Sequence, residues 1–410
     1  MKKAVKSKNR FVFIIFCMVI GAIIGGIIWA FMRVMHLLIE LLWHYIPSVV
    51  NIPFYTIILC LAGGVVIGLI QKYHGPCPDE LTEVMKEYKQ NGRYHYNNIP
   101  FMLFAAILPL IFGGAIGPEA GLTGVIVGLC CWAGDNFKSA GKYLAELPDI
   151  GISATLGVLF HSPLFGFIEP LEEEDEDFVL PKPVKMTAIF CTLIAALGAF
   201  VVLSNLLGSA GEMPRFDTVK IGNGELLFAV PILIIAIIYG FIYLLFEKMT
   251  RRVSEALGKK YFISAMIAAL ILGVVGTVFP LAMFSGEQEI ITLGETYAEY
   301  APYVLLAIAF IKLFLINTCI NLGWRGGSFF PSIFAGVCLG YACAMLFHTD
   351  ITFSVAVASA AVMTTIMKKP LAVTALLLIC FPVQSMLYIF ASAFLASVVA
   401  NKKAVSEESQ

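Results

Sequence analysis

Charged residues are scarce in this chain of 410 residues, and histidine is scarcer still. Asp, Glu, Lys and Arg together supply only 13% of the sequence, and six residues are histidine. No basic stripe with interleaved aromatic residues is present, so no surface suited to a nucleic-acid backbone is predicted. The sequence also has no nucleotide-binding glycine loop, zinc-binding signature or Ser-His-Asp set. We therefore expect no enzyme activity, no cofactor, no metal site and no nucleic-acid partner.

A disulfide framework is missing as well. The ten cysteines lie mostly inside apolar runs, as Cys130 and Cys131 do, and their spacing follows no disulfide or metal-binding pattern. We interpret them as small, buried hydrophobic residues.

Apolar residues, in contrast, are abundant. They make up 59% of the chain, whereas a soluble domain usually has about 45–50%. Long runs with almost no charge recur from end to end, each about the 20 residues that cross a bilayer core. They are residues 11–32, 53–70, 101–116, 187–207, 227–246, 261–283 and 301–320. This pattern predicts an all-α polytopic membrane protein whose first run is a retained span.

The distribution of Lys and Arg predicts the orientation of the chain. Residues 1–10, 248–260 and 401–403 are rich in basic residues and are placed in the cytoplasm, whereas residues 208–225 and 285–300 are placed outside. We therefore expect a single transmembrane domain over residues 1–410, with cytoplasmic N- and C-termini. Aromatic residues near the ends of spans, such as Trp43 and Tyr303, are interpreted as interfacial anchors.

Two short motifs occur twice, in the same order. GGAIGP (113–118) matches GGSFFP (326–331) at an offset of 213 residues, and HSPLFGF (161–167) matches KKPLAVT (368–374) at an offset of 207. The chain therefore divides into two repeats, at about 10–205 and 225–398. Interrupted hydrophobic segments at matching places of two repeats are typical of a transporter's binding site.

The glycines and prolines of these motifs predict breaks in membrane helices, which are tolerated only where protein or water surrounds them. Pro118 and Pro331 suit a first helical turn. Two half-helix N-termini would result, and their positive ends favour an anion. The alternative is that the glycines only let helices pack closely. Glu119 beside the first break indicates function, because ionisable groups at membrane depth are costly; a structural hydrogen bond is the other possibility.

Four segments resemble motifs of the CLC family of chloride channels and anion/proton exchangers. They are GPEAG (117–121), GGSFFPSIFAG (326–336), FHSPLFGFIEPLEEE (160–174) and HGPCPDE (74–80). The resemblance implies a CLC-like fold of two inverted-topology repeats built from tilted and broken helices. It also implies a homodimer in the inner membrane, from a short, divergent prokaryotic branch without cytoplasmic regulatory domains.

The same resemblance implies roles for individual residues. Glu119 takes the position of the gating glutamate, which also transfers protons on the external side. Glu172 and Glu173 align with a pair of glutamates, and Glu173 aligns with the internal proton-transfer residue. A solvated acidic loop is the alternative for this pair, and a metal site is less favoured. The implied anion-binding residues are Gly117, Pro118, Gly121, Gly327, Ser328, Phe329, Phe330 and Gly75.

The chain departs from the family pattern at four places. Pro118 stands where a basic residue is usual, and Ala120 and Gly121 stand where the family has Gly-Pro. The loop at 74–78 has no serine, and the tail ANKKAVSEES has no tyrosine. The expected function is transport of small monovalent anions, chloride first among them, by anion/proton antiport gated by Glu119. The alternatives are a passive anion channel of the same fold and a fluoride/proton antiporter; an intramembrane enzyme is the least favoured.

Overall fold

The computed structural model describes residues 2–408 except 51, 79–82, 85–86, 88–93, 95, 97, 137–145, 173–181, 212 and 220–221. Helices dominate these residues, and their only extended pairing is an isolated bridge between two glycines. The first helices are α1 (Lys2–Glu40), a π-helical turn (Leu41–Tyr45), α2 (Ile46–Val49), α3 (Tyr55–His74), α4 (Ile99–Ile111), α5 (Glu119–Asn136), α6 (Leu147–Leu159), α7 (Pro163–Glu172) and α8 (Lys182–Leu207).

The remaining helices follow in the second part of the chain. They are α9 (Asn223–Leu257), α10 (Tyr261–Val278), α11 (Glu287–Thr296), α12 (Pro302–Asn321), α13 (Phe329–Phe347), α14 (Ile351–Met367), α15 (Pro370–Leu377) and α16 (Met386–Glu408). Three short 3₁₀ turns lie at Pro280–Ala282, Tyr297–Glu299 and Val383–Ser385.

Eight helices of the described part are long and apolar enough to cross a membrane. These spans are Arg10–Val49, Tyr55–His74, Pro183–Leu207, Glu225–Leu257, Tyr261–Val278, Pro302–Asn321, Phe329–Phe347 and Val383–Lys402. Shorter apolar helices lie at Ile99–Ile111, Leu147–Leu159 and Ile351–Met367. The prediction of an all-α polytopic membrane protein is therefore confirmed.

The chain forms two compact units, and the first consists of Met1–Glu40, Pro78–Ile107 and Glu119–Glu212. Within it, α1 lies against α8 along a pair of glycines, Gly21 and Gly25. A Cβ atom at either position would overlap the backbone of Thr192 or Ala196. Small residues four apart let two helix backbones approach closely, which is how helices associate where lipid removes the hydrophobic driving force.

The second unit consists of Leu41–Cys77, Leu108–Pro118 and Met213–Gln410. Helices α13 and α14 use the same device, because Gly336 lies against the backbone of Ser359 and Gly340 against that of Val355. Close helix packing, one of the two readings of the glycines, therefore holds at these positions in the helix interiors. The glycines at the breaks behave differently.

Seven of the ten cysteines are buried, and all ten carry free thiols. The buried ones are Cys17, Cys60, Cys130, Cys319, Cys338, Cys343 and Cys380. The prediction that they act as small interior residues agrees with this placement.

Candidate functional site

The two predicted breaks lie side by side in the second unit. Gly117 N donates a hydrogen bond to Gly327 O, and Gly327 N donates one to Gly117 O, both with an N···O distance of 2.8 Å. The two glycines form an isolated antiparallel bridge. The segments that precede α5 and α13 are therefore joined directly through their backbones.

Both breaks have the same local backbone. At the first, Gly113 has a φ of +89° and Gly114 N reaches back five residues to Pro109 O over 2.9 Å. At the second, Gly323 has a φ of +102° and Trp324 N reaches back five residues to Cys319 O over 2.8 Å. Glycine suits both places because residues with a Cβ rarely adopt positive φ.

This likeness corrects the register of the first sequence match. The breaks are equivalent at an offset of 210 residues (117 to 327), which pairs Pro118 with Ser328, whereas the motif match paired Pro118 with Pro331. The match by letters was wrong by three residues because it aligned glycines and prolines, whereas the backbone is set by the glycine with positive φ. Pro331 still lies in the first turn of α13, as predicted.

The second sequence match is confirmed at its predicted offset of 207. His161 and Lys368 both have positive φ, at +50° and +60°, and the helices α7 and α15 begin at Pro163 and Pro370. A proline at the first helical position costs no hydrogen bond, since that N–H has no partner within the helix.

Glu119 is the first residue of α5, directly after the first break. Its side chain is buried, with 1% exposed, and Thr123 Oγ1 donates a 2.6 Å hydrogen bond to the Glu119 carbonyl oxygen. A carboxylate in the first turn is stabilised by the positive end of the helix. The structure thus places Glu119 at the half-helix N-terminus where the sequence predicted it.

The glycines predicted to bind the anion have two kinds of contact in this structure, backbone hydrogen bonds and close helix packing. The N–H groups of Gly117 and Gly327 donate to each other's carbonyl groups. They are therefore engaged with the backbone in this structure. Gly121 lies against Ala106, and a Cβ added there would overlap the Ala106 side chain. Gly121 thus serves the close packing of α5. Pro118 has no N–H to offer.

Ser328, Phe329 and Phe330 lie at the start of α13. Ser328 is the N-cap residue, and its hydroxyl makes no capping hydrogen bond, while its carbonyl oxygen accepts Ser332 N at 3.1 Å. An α-helix leaves its first N–H groups without partners inside the helix. Since Pro331 has no N–H, those of Phe329 and Phe330 are the main-chain donors of this turn.

Gly75 is the C-cap residue of α3. Its φ of +84° explains why a glycine occupies this position, since residues with a Cβ rarely adopt positive φ. Its N–H donates to Gln71 O at 3.0 Å, and a Cβ added at position 75 would meet nothing within 4 Å. Space for a larger side chain therefore exists here, and no hydroxyl side chain occurs between His74 and Pro78.

One of the two carboxylates predicted to transfer protons on the internal side lies at the end of α7. Glu172 is its last residue and is half-buried, whereas Glu173 lies outside the described residues. Glu169, one turn earlier, is buried with 7% exposed. Helix α7 is held against α6 at Gly166, where a Cβ would overlap Ser153 O.

Three partners supplied from elsewhere in the second unit satisfy the carbonyl groups at the first break. Trp43 Nε1 donates to Ile111 O at 2.9 Å, Cys60 Sγ to Phe112 O at 3.7 Å, and Phe284 N to Gly113 O at 3.2 Å. Carbonyl groups freed at membrane depth need such partners, since each unsatisfied one costs several kcal/mol. Trp43, for which the sequence predicted an interfacial anchor, supports the break through its indole N–H.

At the second break, the side-chain amide of Gln71 donates to Gly323 O, at the place equivalent to Gly113 O. Sequence reasoning missed Trp43, Gln71 and Phe284 because their partners are far away along the chain. It also missed Lys312, which is fully buried in α12. Its signal was a lone lysine in the apolar run 301–320.

The sequence and the fold of this chain resemble those of known proteins. A sequence model of the family described as Voltage gated chloride channel matches residues 63–401. The chain therefore belongs to the voltage-gated chloride channel family, and the resemblance seen in its motifs is confirmed. Among individual proteins it is similar to "Putative ion-transport protein YfeO" of Salmonella newport, with 24% identity over 342 residues, covering 79% of this chain and 78% of that protein. The protein of the same name from Escherichia fergusonii is also 24% identical, over 334 residues, or 78% and 76% of the two chains.

Solved structures show the same fold. A crystal structure of a CLC-type fluoride/proton antiporter matches with a TM-score of 0.75 and 19% identity, over 95% of both chains. An X-ray structure of a slow cyanobacterial Cl⁻/H⁺ antiporter matches with a TM-score of 0.77 and 17% identity, over 95% of this chain and 94% of that one. At these identities the likeness establishes the CLC fold and nothing finer.

Proposed function

We propose that this protein moves small monovalent anions, chloride first among them, across a membrane in exchange for protons, with Glu119 as the gate. The observation that supports this most is the position of Glu119. It is a buried carboxylate that begins a half-helix directly after a break, and that break is hydrogen-bonded to a second, matching break. Helix N-termini favour anions, and an anionic side chain at such a place is their competitor.

In this mechanism a single side chain links the two ions. The ionised Glu119 occupies a place at the positive end of α5 that an anion would otherwise take. Protonation removes its charge, and the neutral side chain then yields the place to the anion. A proton therefore has to reach and leave Glu119 in each cycle, which couples proton movement to anion movement.

The internal proton route is proposed to start at Glu173, with Glu172 beside it at the end of α7. Glu169 is the further candidate on the same helix, because it is buried one turn before Glu172.

The anion contacts are proposed to come chiefly from the start of α13. The Ser328 hydroxyl does not cap the helix, and Phe329 and Phe330 lie in the first turn of α13, where the positive end of the helix favours an anion. Gly117, Pro118, Gly121 and Gly327 then shape the site through their backbones. Gly75 leaves open space at the end of α3 where a serine is usual in the family.

A passive anion channel and a fluoride/proton antiporter remain the alternatives. The observation behind both is the loop at 74–78, which has no hydroxyl side chain and leaves Gly75 without a packed neighbour. A loosened inner contact favours leakage, and a changed anion contact favours a different anion. We also propose a homodimer in the inner membrane with cytoplasmic termini, the orientation that the basic loops predict.

The test is a flux assay in sealed vesicles containing the purified protein. An imposed chloride gradient should drive protons uphill, and the same measurement with nitrate and fluoride gives the anion preference. Chloride flux without proton movement would favour the channel. Proton-coupled fluoride flux with no chloride flux would favour the fluoride antiporter. No flux of any of the three anions in folded protein would contradict the proposal.

A further inference from the structure

The loop at residues 283–286 contacts the first break and is itself held in an unfavourable conformation. Phe284 has a φ of +56°, in a region that non-glycine residues rarely occupy. Its N–H donates to Gly113 O at 3.2 Å. Its ring meets the Trp43 ring edge-on, with centroids 5.1 Å apart. Strain of this kind persists only where the surroundings enforce it.

The enforcing group is the ammonium of Lys312. Lys312 Nζ donates to Met283 O and to Phe284 O, both at 2.7 Å. Two consecutive carbonyl groups therefore converge on one cation, and hydrogen bonds from a charged donor are stronger than neutral ones. The same Phe284 residue thus links Lys312 on one side to Gly113 on the other.

The surroundings of Lys312 include an aromatic ring and a carboxyl group as well as the two carbonyl oxygens. The side chain is fully buried, and Nζ lies 5.0 Å from the centroid of the Phe334 ring. Glu289, whose Oε2 accepts Gly286 N at 3.0 Å, is nearby. Burial raises the pKa of Glu289 above its ordinary value, whereas the charge of Lys312 and hydrogen bonds from the Glu289 and Gly286 backbones lower it.

Lys312 does not have the environment of an anion ligand. Two of the three N–H groups of its ammonium donate hydrogen bonds to main-chain carbonyl oxygens, and the ammonium also faces an aromatic ring. A buried lysine is nevertheless costly, and such residues at membrane depth are functional by default. Both of the hydrogen bonds described above go to the loop at 283–286, so we look for the function of Lys312 in the residues that this loop contacts.

We propose that Lys312 is a positioning residue for the Glu119 gate, an inference that rests on the function proposed above. Through Phe284 it fixes Gly113 in its left-handed conformation, and Gly113 begins the short segment, 113–118, that ends directly before Glu119. The carbonyl groups of Gly113 and Gly323 each accept from a neutral amide, the Phe284 N–H at the first break and the Gln71 side chain at the second. The first break differs in that its donor residue, Phe284, is itself bound by the ammonium of Lys312.

The test compares Lys312→Met, Lys312→Arg and the exposed-site control Lys248→Met in vesicles, with anion flux and coupled proton flux measured separately. Lys312→Met should lower coupled proton flux about tenfold, since a misplacement of about 1 Å can cost on the order of 100-fold. Lys312→Arg, which keeps the charge, should restore most of the coupling, and Lys248→Met should behave as wild type. Normal coupling in Lys312→Met would overturn the proposal.

A second comparison separates positioning from general structural support. In a Glu119→Ala background no gate remains, so Lys312→Met should leave anion flux unchanged there. Equal loss of anion flux with and without Glu119 would show that Lys312 only supports the fold, and would overturn the proposal. Where Lys312→Met does not fold, Lys312→Gln replaces it, and normal coupling in that variant has the same consequence. If Glu119→Ala alone keeps full coupling, the proposed function fails independently of Lys312.

Discussion

Gly117 and Gly327 exchange two backbone hydrogen bonds of 2.8 Å, although 210 residues separate them in the chain. Each glycine closes the break that precedes an apolar helix, α5 in one case and α13 in the other. Separating the two segments would break both bonds between buried backbone groups, which is costly. Movement of a side chain costs less, so this pairing favours a gate made by a side chain such as Glu119.

Neutralising that side chain should separate anion movement from proton movement. Glu119→Gln imitates the protonated form and Glu119→Ala removes the side chain, so anion flux should persist or rise. Coupled proton flux should fall by at least about 100-fold, the usual contribution of a proton-transferring group. Both fluxes are measured in vesicles under a chloride gradient. Loss of anion flux in well-folded Glu119→Ala would show that the gate is assigned to the wrong residue.

The Ser328 hydroxyl should contribute to anion preference. Ser328→Ala should change the ratio of chloride to nitrate flux by about tenfold, since a hydrogen bond to a charged group is worth about 1.5 kcal/mol or more. The matched control is Ser332→Ala, one turn further along α13 and buried, which should leave the ratio unchanged. An unaltered ratio in Ser328→Ala would leave main-chain N–H groups as the anion ligands.

The internal proton route gives a third prediction. Glu173→Gln keeps the size of the side chain and removes its titrating proton, so it should block proton flux and leave anion flux measurable. Glu172→Gln and Glu174→Gln, one residue to either side, should lower proton flux less than Glu173→Gln does. Intact coupling in Glu173→Gln would move the assignment to Glu169 or Glu172.

Helix packing gives a prediction for stability in the first unit. Gly25→Ala should lower the free energy of unfolding by about 1–3 kcal/mol, because the added methyl overlaps the backbone of Ala196. Gly198→Ala, on α8, meets nothing within 4 Å and should raise it by about 0.5–1 kcal/mol. Thermal unfolding in detergent distinguishes the two variants. Equal stability would mean that the contact between α1 and α8 contributes little.

Much of this arrangement could be predicted from local patterns. Hydrophobic runs gave the membrane class, and glycines with prolines located both breaks and the start of α5 at Glu119. The three-residue error in register arose because the sequence does not show which of several nearby glycines has a positive φ. The structure shows that these are Gly113 and Gly323. The supports of the first break were also hidden, since the bond between Trp43 and Ile111 joins residues 68 positions apart. A π-helical turn places that tryptophan, and no hydrophobic period predicts such a turn.

The two breaks have the same backbone conformation but carry different side chains at the position that follows them. At the offset of 210, Glu119 and Phe329 occupy the same position, the first residue of the helix that follows each break. The first break is therefore followed by a carboxyl side chain and the second by a phenyl side chain. Because a phenyl ring has no titratable group, the proton transfer proposed for Glu119 has no counterpart at Phe329, although the backbones of the two breaks are alike.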